Sequence, residues 1–302
     1  MFPQARRQNP MKHIHCLECV DSDELAHENR TTLCLDRSFA AELGRGAIRA
    51  VQKGSYLLPD GTRIDWSDAV DACKESVRSI PPPAELPALL PEQPSRVTRV
   101  QVANQTTLVA ARLLHLAGQR PLALNFANGI QPGGGFLIGA RAQEEALCRS
   151  SALHATLDGD PMYEAHRQRP VPDFSNRAIL SPRVPVFRTD AGVPIPWWPL
   201  DILTCAAPYA PSVGEQRSAQ LLQLRIERVL EIAVAFGYRS LVLGAWGCGA
   251  FGNDPFRTAH DFREALEGRF GGVFDDVVFA ITDWSEDRRI LGPFRDTFSE
   301  IV

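Results

Sequence analysis

No run of 18 apolar residues occurs in the 302-residue chain, so no membrane-spanning helix is expected of it. Nor is there an excess of positive charge. The 32 Lys and Arg stand against 36 Asp and Glu, for a net charge of −4. Proteins that grip DNA through many phosphate contacts show the opposite bias, so direct DNA binding is not expected. An anionic ligand would have to be held by backbone amides and a few placed groups. The seven cysteines form no framework: Cys16, Cys19, Cys34, Cys73, Cys148, Cys205 and Cys248 are scattered and odd in number. That pattern suits a reducing compartment, and a cytoplasmic protein is expected. The opening MFPQARRQNPMKHIH is basic but has no apolar segment behind it, unlike a secretory signal, and Met11 is an alternative start. The cluster from His13 to Cys19 lacks the two separated ligand pairs that zinc usually needs, so it reads as uncommitted tail and no metal is expected.

What is present is an organised α/β pattern. Residues 1–30 are polar and aperiodic and read as a disordered tail. Residues 31–94 read as accessory helices, a hairpin turning at Asp60-Gly61, and a linker with six prolines between Pro81 and Pro94. Ser67 is a candidate helix cap there. From residue 95 to 302, apolar runs such as PLALNFAN, DILTCAA, SLVLGAW and DVVFAIT alternate with helical periodicity, including one helix expected over 141–156. Alternating strands and helices predict a mixed sheet sandwiched between helices, with ligands at the carboxyl ends of its strands.

Two glycine loops follow apolar strands. The first runs Asn125-Phe126-Ala127-Asn128-Gly129-Ile130-Gln131-Pro132-Gly133-Gly134-Gly135, and seven residues later comes Gln143-Glu144-Glu145. This loop matches neither a dinucleotide fingerprint nor a Walker loop. Three consecutive glycines are costly to order, but they let the backbone approach a ligand closely. Glu144 and Glu145 could simply be partners of a helix dipole; their place directly after such a loop favours chemistry. The second loop is Gly247-Cys248-Gly249-Ala250-Phe251-Gly252, with Asp254 as N-cap and Pro255 at the first helical position. Amides at a helix start suit a diphosphate. Phe251 either tucks into the core or packs on a ribose or base. Cys248 lacks a nearby His partner and is not read as a nucleophile.

A strand ending F-A-N, then GGG-x7-QEE, then G-C-G-A-F-G-N-D about 100 residues on resembles the poly(ADP-ribose) glycohydrolase family, in its smaller bacterial-type branch. The resemblance runs from about residue 36 to 300. It implies a macrodomain-like core with ADP-ribose in a cleft at the strand ends. It implies that Gly133, Gly134 and Gly135, with Gly247, Cys248, Gly249, Ala250 and Gly252, grip the diphosphate. Asn128 and Glu144 would hold ribose hydroxyls, Gln143 would support the QEE signature, Phe251 would position the distal ribose, and Glu145 would be catalytic. The expected reaction is hydrolysis of ribose–ribose O-glycosidic bonds, mainly from polymer ends, without a cofactor. Expected partners are ADP-ribose and poly(ADP-ribose) on modified proteins, and the chain is expected to be monomeric and off the membrane. Glycosidases usually flank the anomeric carbon with two carboxylates about 5–10 Å apart. Adjacent helical residues diverge by roughly 100°, so a single acid/base, Glu145, fits better than a pair. Two alternatives remain: a hydrolase for single ADP-ribose units, and a binding module without chemistry.

Overall fold

The computed structural model describes residues 13–82, 85–87 and 97–299. Its centre is an eight-stranded sheet built from β1 (Ile14–Cys16), β4 (Arg78–Ile80), β5 (Thr98–Ala103), β6 (Pro121–Phe126), β7 (Ala178–Arg188), β8 (Pro194–Cys205), β9 (Ser240–Leu243) and β10 (Asp276–Ala280). Strand order is β1-β5-β10-β9-β6-β8-β7-β4. The first six run parallel; β7 runs against them, and β4, antiparallel to β7, runs with them. The inner strands read as continuous apolar runs because both faces are covered. Leu122, Leu124, Leu241 and Leu243 face one layer, with Ile226 and Leu230 of α9 (Glu215–Ala235), Phe262 of α10 (Pro255–Glu267) and Phe294 of α11 (Leu291–Thr297). Ala123 and Val242 face the other, with Ala111 of α4 (Thr107–Leu116) and Leu147 of α5 (Gln143–Ser150). Helices therefore sandwich a mixed sheet, as the alternation of elements predicts.

The accessory elements brace this core. Helix α2 (Arg37–Lys53) starts on the Asp36 carboxylate, which accepts from the amides of Ser38 and Phe39. Its small-residue face lets Gly44 approach so closely that a Cβ there would stand 2.6 Å from the Phe136 carbonyl. The hairpin of β2 (Ser55–Leu57) and β3 (Arg63–Asp65) turns where expected. At α3 (Ser67–Glu75), Ser67 is not the cap. Trp66 holds the cap position without a side-chain cap bond, and Asp65, one residue before it, accepts from the Ser67 amide at 3.1 Å and its hydroxyl at 2.7 Å. Most of the Pro81–Pro94 linker lies outside the described residues.

Two expectations fail. Residues 14–30 of the expected tail are ordered. β1 pairs in parallel with β5, and α1 (Asp23–Leu33) follows a Ser22 cap. Apart from Ile14 and Ala26, which are buried, the segment docks through backbone pairing and polar contacts, so it has no apolar periodicity to read. Arg288 bonds Asp21 at 2.9 Å and Asp23 at 2.8 Å, and Asn29 donates to Asn104 at 2.9 Å. Residues 1–12 of that expected tail lie outside the described residues. The single helix expected over 141–156 is also broken, into α5 and α6 (His154–Leu157). The Ser151 hydroxyl takes the Leu147 carbonyl at 2.7 Å, and the extended backbone crosses to β7, where the Ala152 amide donates to Pro185 at 3.0 Å.

Candidate active site

A cavity of about 500 Å³ opens beyond the carboxyl ends of the parallel strands, lined by loops after β5, β6, β9 and β10. The first glycine loop follows β6 and the second follows β9, and these strands are neighbours in the sheet. Sheet order alone therefore brings the two motifs face to face.

Helix α5 starts at the cavity wall with Gln143, Glu144 and Glu145 in its first turn. Gln143 accepts from the Phe126 amide at 2.9 Å and donates to the Leu124 carbonyl at 2.8 Å and to Thr107 Oγ1 at 3.1 Å. It thus clamps the end of β6 and the start of α4 to α5. Glu144 turns toward β6. Its Oε2 accepts from the Asn128 amide at 2.7 Å, and Asn125 Nδ2 lies 3.4 Å from Oε1. Glu145 turns toward the glycine triplet, and its Oε1 accepts from the Gly135 amide at 2.9 Å. Glu145 Oε2 is buried without a hydrogen-bond partner among the described residues. The two carboxylates take different backbone partners, but both approach Gly134. Burial pushes Glu144 up to about 8, against the opposing Asn128 amide, with the Glu145 charge adding to the rise. One turn further on, Arg149 is fully buried, with its charge toward Asp190 and Glu145.

Glycine is required at residue 134. Its φ is +56°, and a Cβ there would collide with Glu145 Oε1 and stand 3.0 Å from Glu144 Oε2. None of Gly133, Gly134 and Gly135 lines the cavity; Gly134 stands against the two carboxylates, Gly133 against Phe136 and Cys148, and Gly135 against Ala140. Asn128 does line it. Its Oδ1 accepts from the amides of Ile130 and Gln131 at 3.0 Å each, leaving Nδ2 as its donor toward the cavity.

In the second loop Gly247, Gly249, Ala250 and Phe251 line the cavity, whereas Cys248 and Gly252 do not. Cys248 is buried and its thiol is pushed up to about 12, as suits a packing residue and not a nucleophile. The glycines at 247, 249 and 252 have G-x-G-x-x-G spacing, and the loop leads to α10, capped by Asp254 with Pro255 first in the helix. Phe251 is held between Tyr209, edge-on at 5.8 Å, and Phe174 at 6.3 Å.

Several lining residues were missed: Leu33, Thr106, Arg141, Asp190, Ile281 and Trp284. Thr106 donates to Asp190 Oδ2 at 2.6 Å, and burial raises the Asp190 carboxyl. The loops after β5 and β10 could have been suspected as strand ends, but they contain no glycine motif to mark them. Outside the cavity, His260, Asp261 and Glu264 bring ligand-type atoms within 4.8 Å of one another, and Asp261 is ion-paired with Arg257 at 2.7 Å. Among the described residues no helix is long and apolar enough to cross a membrane.

Residues 45–189 match the family model described as microbial-type PARG, catalytic domain. No curated protein matches the chain. Among solved structures, the poly(ADP-ribose) glycohydrolase of Thermomonospora curvata is 36 % identical with a TM-score of 0.81, covering 86 % of this chain and 100 % of that one. A structure of that enzyme bound to the inhibitor ADP-HPD is 38 % identical, with a TM-score of 0.81, over 86 % of this chain and 99 % of that one. The Deinococcus radiodurans enzyme in complex with ADP-ribose is 38 % identical with a TM-score of 0.71, covering 77 % and 98 %. With its mixed sheet, its facing loops and these relatives, the chain belongs to the microbial-type poly(ADP-ribose) glycohydrolase family and is a glycohydrolase.

Proposed function

We propose that this enzyme hydrolyses the ribose–ribose O-glycosidic bonds of poly(ADP-ribose) mainly from chain ends, with Glu145 as the single acid/base. The observation that carries the assignment is the asymmetry of the Glu145 carboxylate. Oε1 is fixed by the Gly135 amide, and Oε2 is left unpartnered at a residue of the cavity wall. As the anomeric C–O bond breaks, Glu145 gives its proton to the leaving hydroxyl oxygen. It then takes a proton from the water that attacks the oxocarbenium-like carbon, which restores the acid. Glu144 and Asn128 orient the ribose, and the amides of Gly247, Gly249, Ala250 and Phe251 meet the diphosphate. Ile281, Trp284 and Ile290, which follow β10, and Leu33 of α1 give the cavity apolar lining suited to a purine.

Phe251, boxed between Tyr209 and Phe174, leaves little path for a polymer to continue past the distal ribose. That supports release of single ADP-ribose units. None of the seven cysteines forms a disulfide, which fits action in the cytoplasm. The test is a time course on long automodified polymer, beside a mono-modified protein. Steady shortening with free ADP-ribose as the early product is expected. Early short oligomers would refute the end-wise mode, and release from the mono-modified protein alone would refute the polymer substrate.

A further inference from the structure

Behind the cavity, residues 166–176 cross from one glycine loop to the other. His166, at the end of α7 (Pro161–Arg167), is buried. Its Nδ1 lies 2.9 Å from the Gly129 carbonyl, and its Nε2 lies 2.7 Å from Ser175 Oγ and 3.2 Å from the Ser175 amide. A backbone N–H can only donate, so Nε2 accepts and Nδ1–H donates to Gly129. His166 therefore ties the strap to the residue after Asn128. Burial favours the neutral imidazole this arrangement needs.

Phe174 has φ +54°, a left-handed backbone that aromatic residues seldom adopt outside functional sites. The conformation lays its ring against Gly129, where a Cβ would stand 2.5 Å from the ring edge. The same ring lies 5.2 Å from His166 and 6.3 Å from Phe251. Arg225 of α9, almost wholly buried, holds the strap from behind through the carbonyls of Asp173 and, at 2.9 Å, Ala206. The second loop is tied in as well. The Tyr209 amide donates to Pro172 at 3.0 Å, and the Ala210 amide donates to the Phe251 carbonyl at 3.0 Å. Neither His166 nor Phe174 lines the cavity.

We infer that Phe174 and His166 are positioning residues that fix Asn128 and Phe251 at one separation and so set the grip on the distal ribose. This rests on the ADP-ribose reading of the cavity. Ordinary core packing would support fold stability alone; coupling between the loops also acts on affinity and turnover.

The experiment measures ADP-ribose binding by calorimetry, kcat and KM on polymer, and melting temperature. The proteins are wild type, Phe174→Leu, His166→Phe, Phe251→Ala, the double Phe174→Leu/Phe251→Ala, and Phe298→Leu as a remote core control. Phe174→Leu and His166→Phe should each weaken ADP-ribose about tenfold and lower kcat. The double variant should bind no worse than Phe251→Ala, because both changes act through one contact. Phe298→Leu should lower the melting temperature without moving the affinity. Additive losses in the double variant, or unchanged affinity in Phe174→Leu and His166→Phe despite lower melting temperatures, would overturn the inference while leaving the function intact. Wild type failing to bind ADP-ribose would bring down both.

Discussion

Gly135 donates its backbone N–H to Glu145 Oε1 at 2.9 Å, so the glycine loop and the acid on α5 form one unit. One oxygen of this carboxylate is anchored by the main chain, and the other is buried without a hydrogen-bond partner among the described residues.

Glu145→Gln should therefore abolish turnover while ADP-ribose affinity stays within about tenfold, because binding draws on both loops. Single-turnover assays with calorimetry check this. A variant that keeps more than a few per cent of the wild-type rate would remove Glu145 from the acid/base role.

Gly134→Ala should cost about a hundredfold in kcat, since its Cβ enters the space of Glu145 Oε1 and a small misplacement of the acid is enough for that loss. Gly118→Ala is the control. It shares a positive φ of +79° but meets nothing within 4 Å, so it should cost stability and leave kcat alone. Equal kinetic effects of the two changes would contradict the account.

Glu144 is held at about 8 in the fold against 4.5 in the unfolded chain. The folded state keeps a proton that the unfolded state has lost. The stabilisation is full below pH 4.5 and is lost as the pH rises to about 8. Glu144→Gln, which cannot ionise, should gain on the wild type across that window. Melting curves at pH 5 and pH 8.5 test it, and a constant difference between the two proteins would refute it.

Removing residues 1–33 should lower the melting temperature and weaken ADP-ribose binding. The deletion uncovers the edge of β5, leaves Arg288 without Asp21 and Asp23, and removes Leu33 from the cavity wall. A truncated chain with unchanged melting and affinity would show the segment to be dispensable.

The residues that carried the reading were those with unusual composition. Three glycines before Gln143-Glu144-Glu145, and Phe251 among glycines, are expensive choices that packing alone does not explain, and both loops do face one cavity. The helices and inner strands were legible because they bury continuous or periodic apolar residues. Residues 14–30 were not, since Asp21, Asp23 and Asn29 dock through hydrogen bonds and not through an apolar stripe. Thr106 and Asp190 met only in the folded chain, across 84 residues. The second task of Gly134, making room for the Glu145 carboxylate, was not legible either, because spacing does not show which side chain a glycine will face.

Strand order also governs when a working pocket can exist. β9 and β10 lie between β5 and β6, so Arg99 pairs with Asp276 and Leu122 with Leu241. The N-terminal half cannot close its sheet before the last strands have been synthesised, and such distant pairings form slowly. On the ribosome, the strand carrying the first glycine loop must wait with an unpaired apolar edge until β9 arrives. A nascent chain stalled before residue 240 should recruit chaperones and bind no nucleotide, and both properties should reverse together once β10 has emerged.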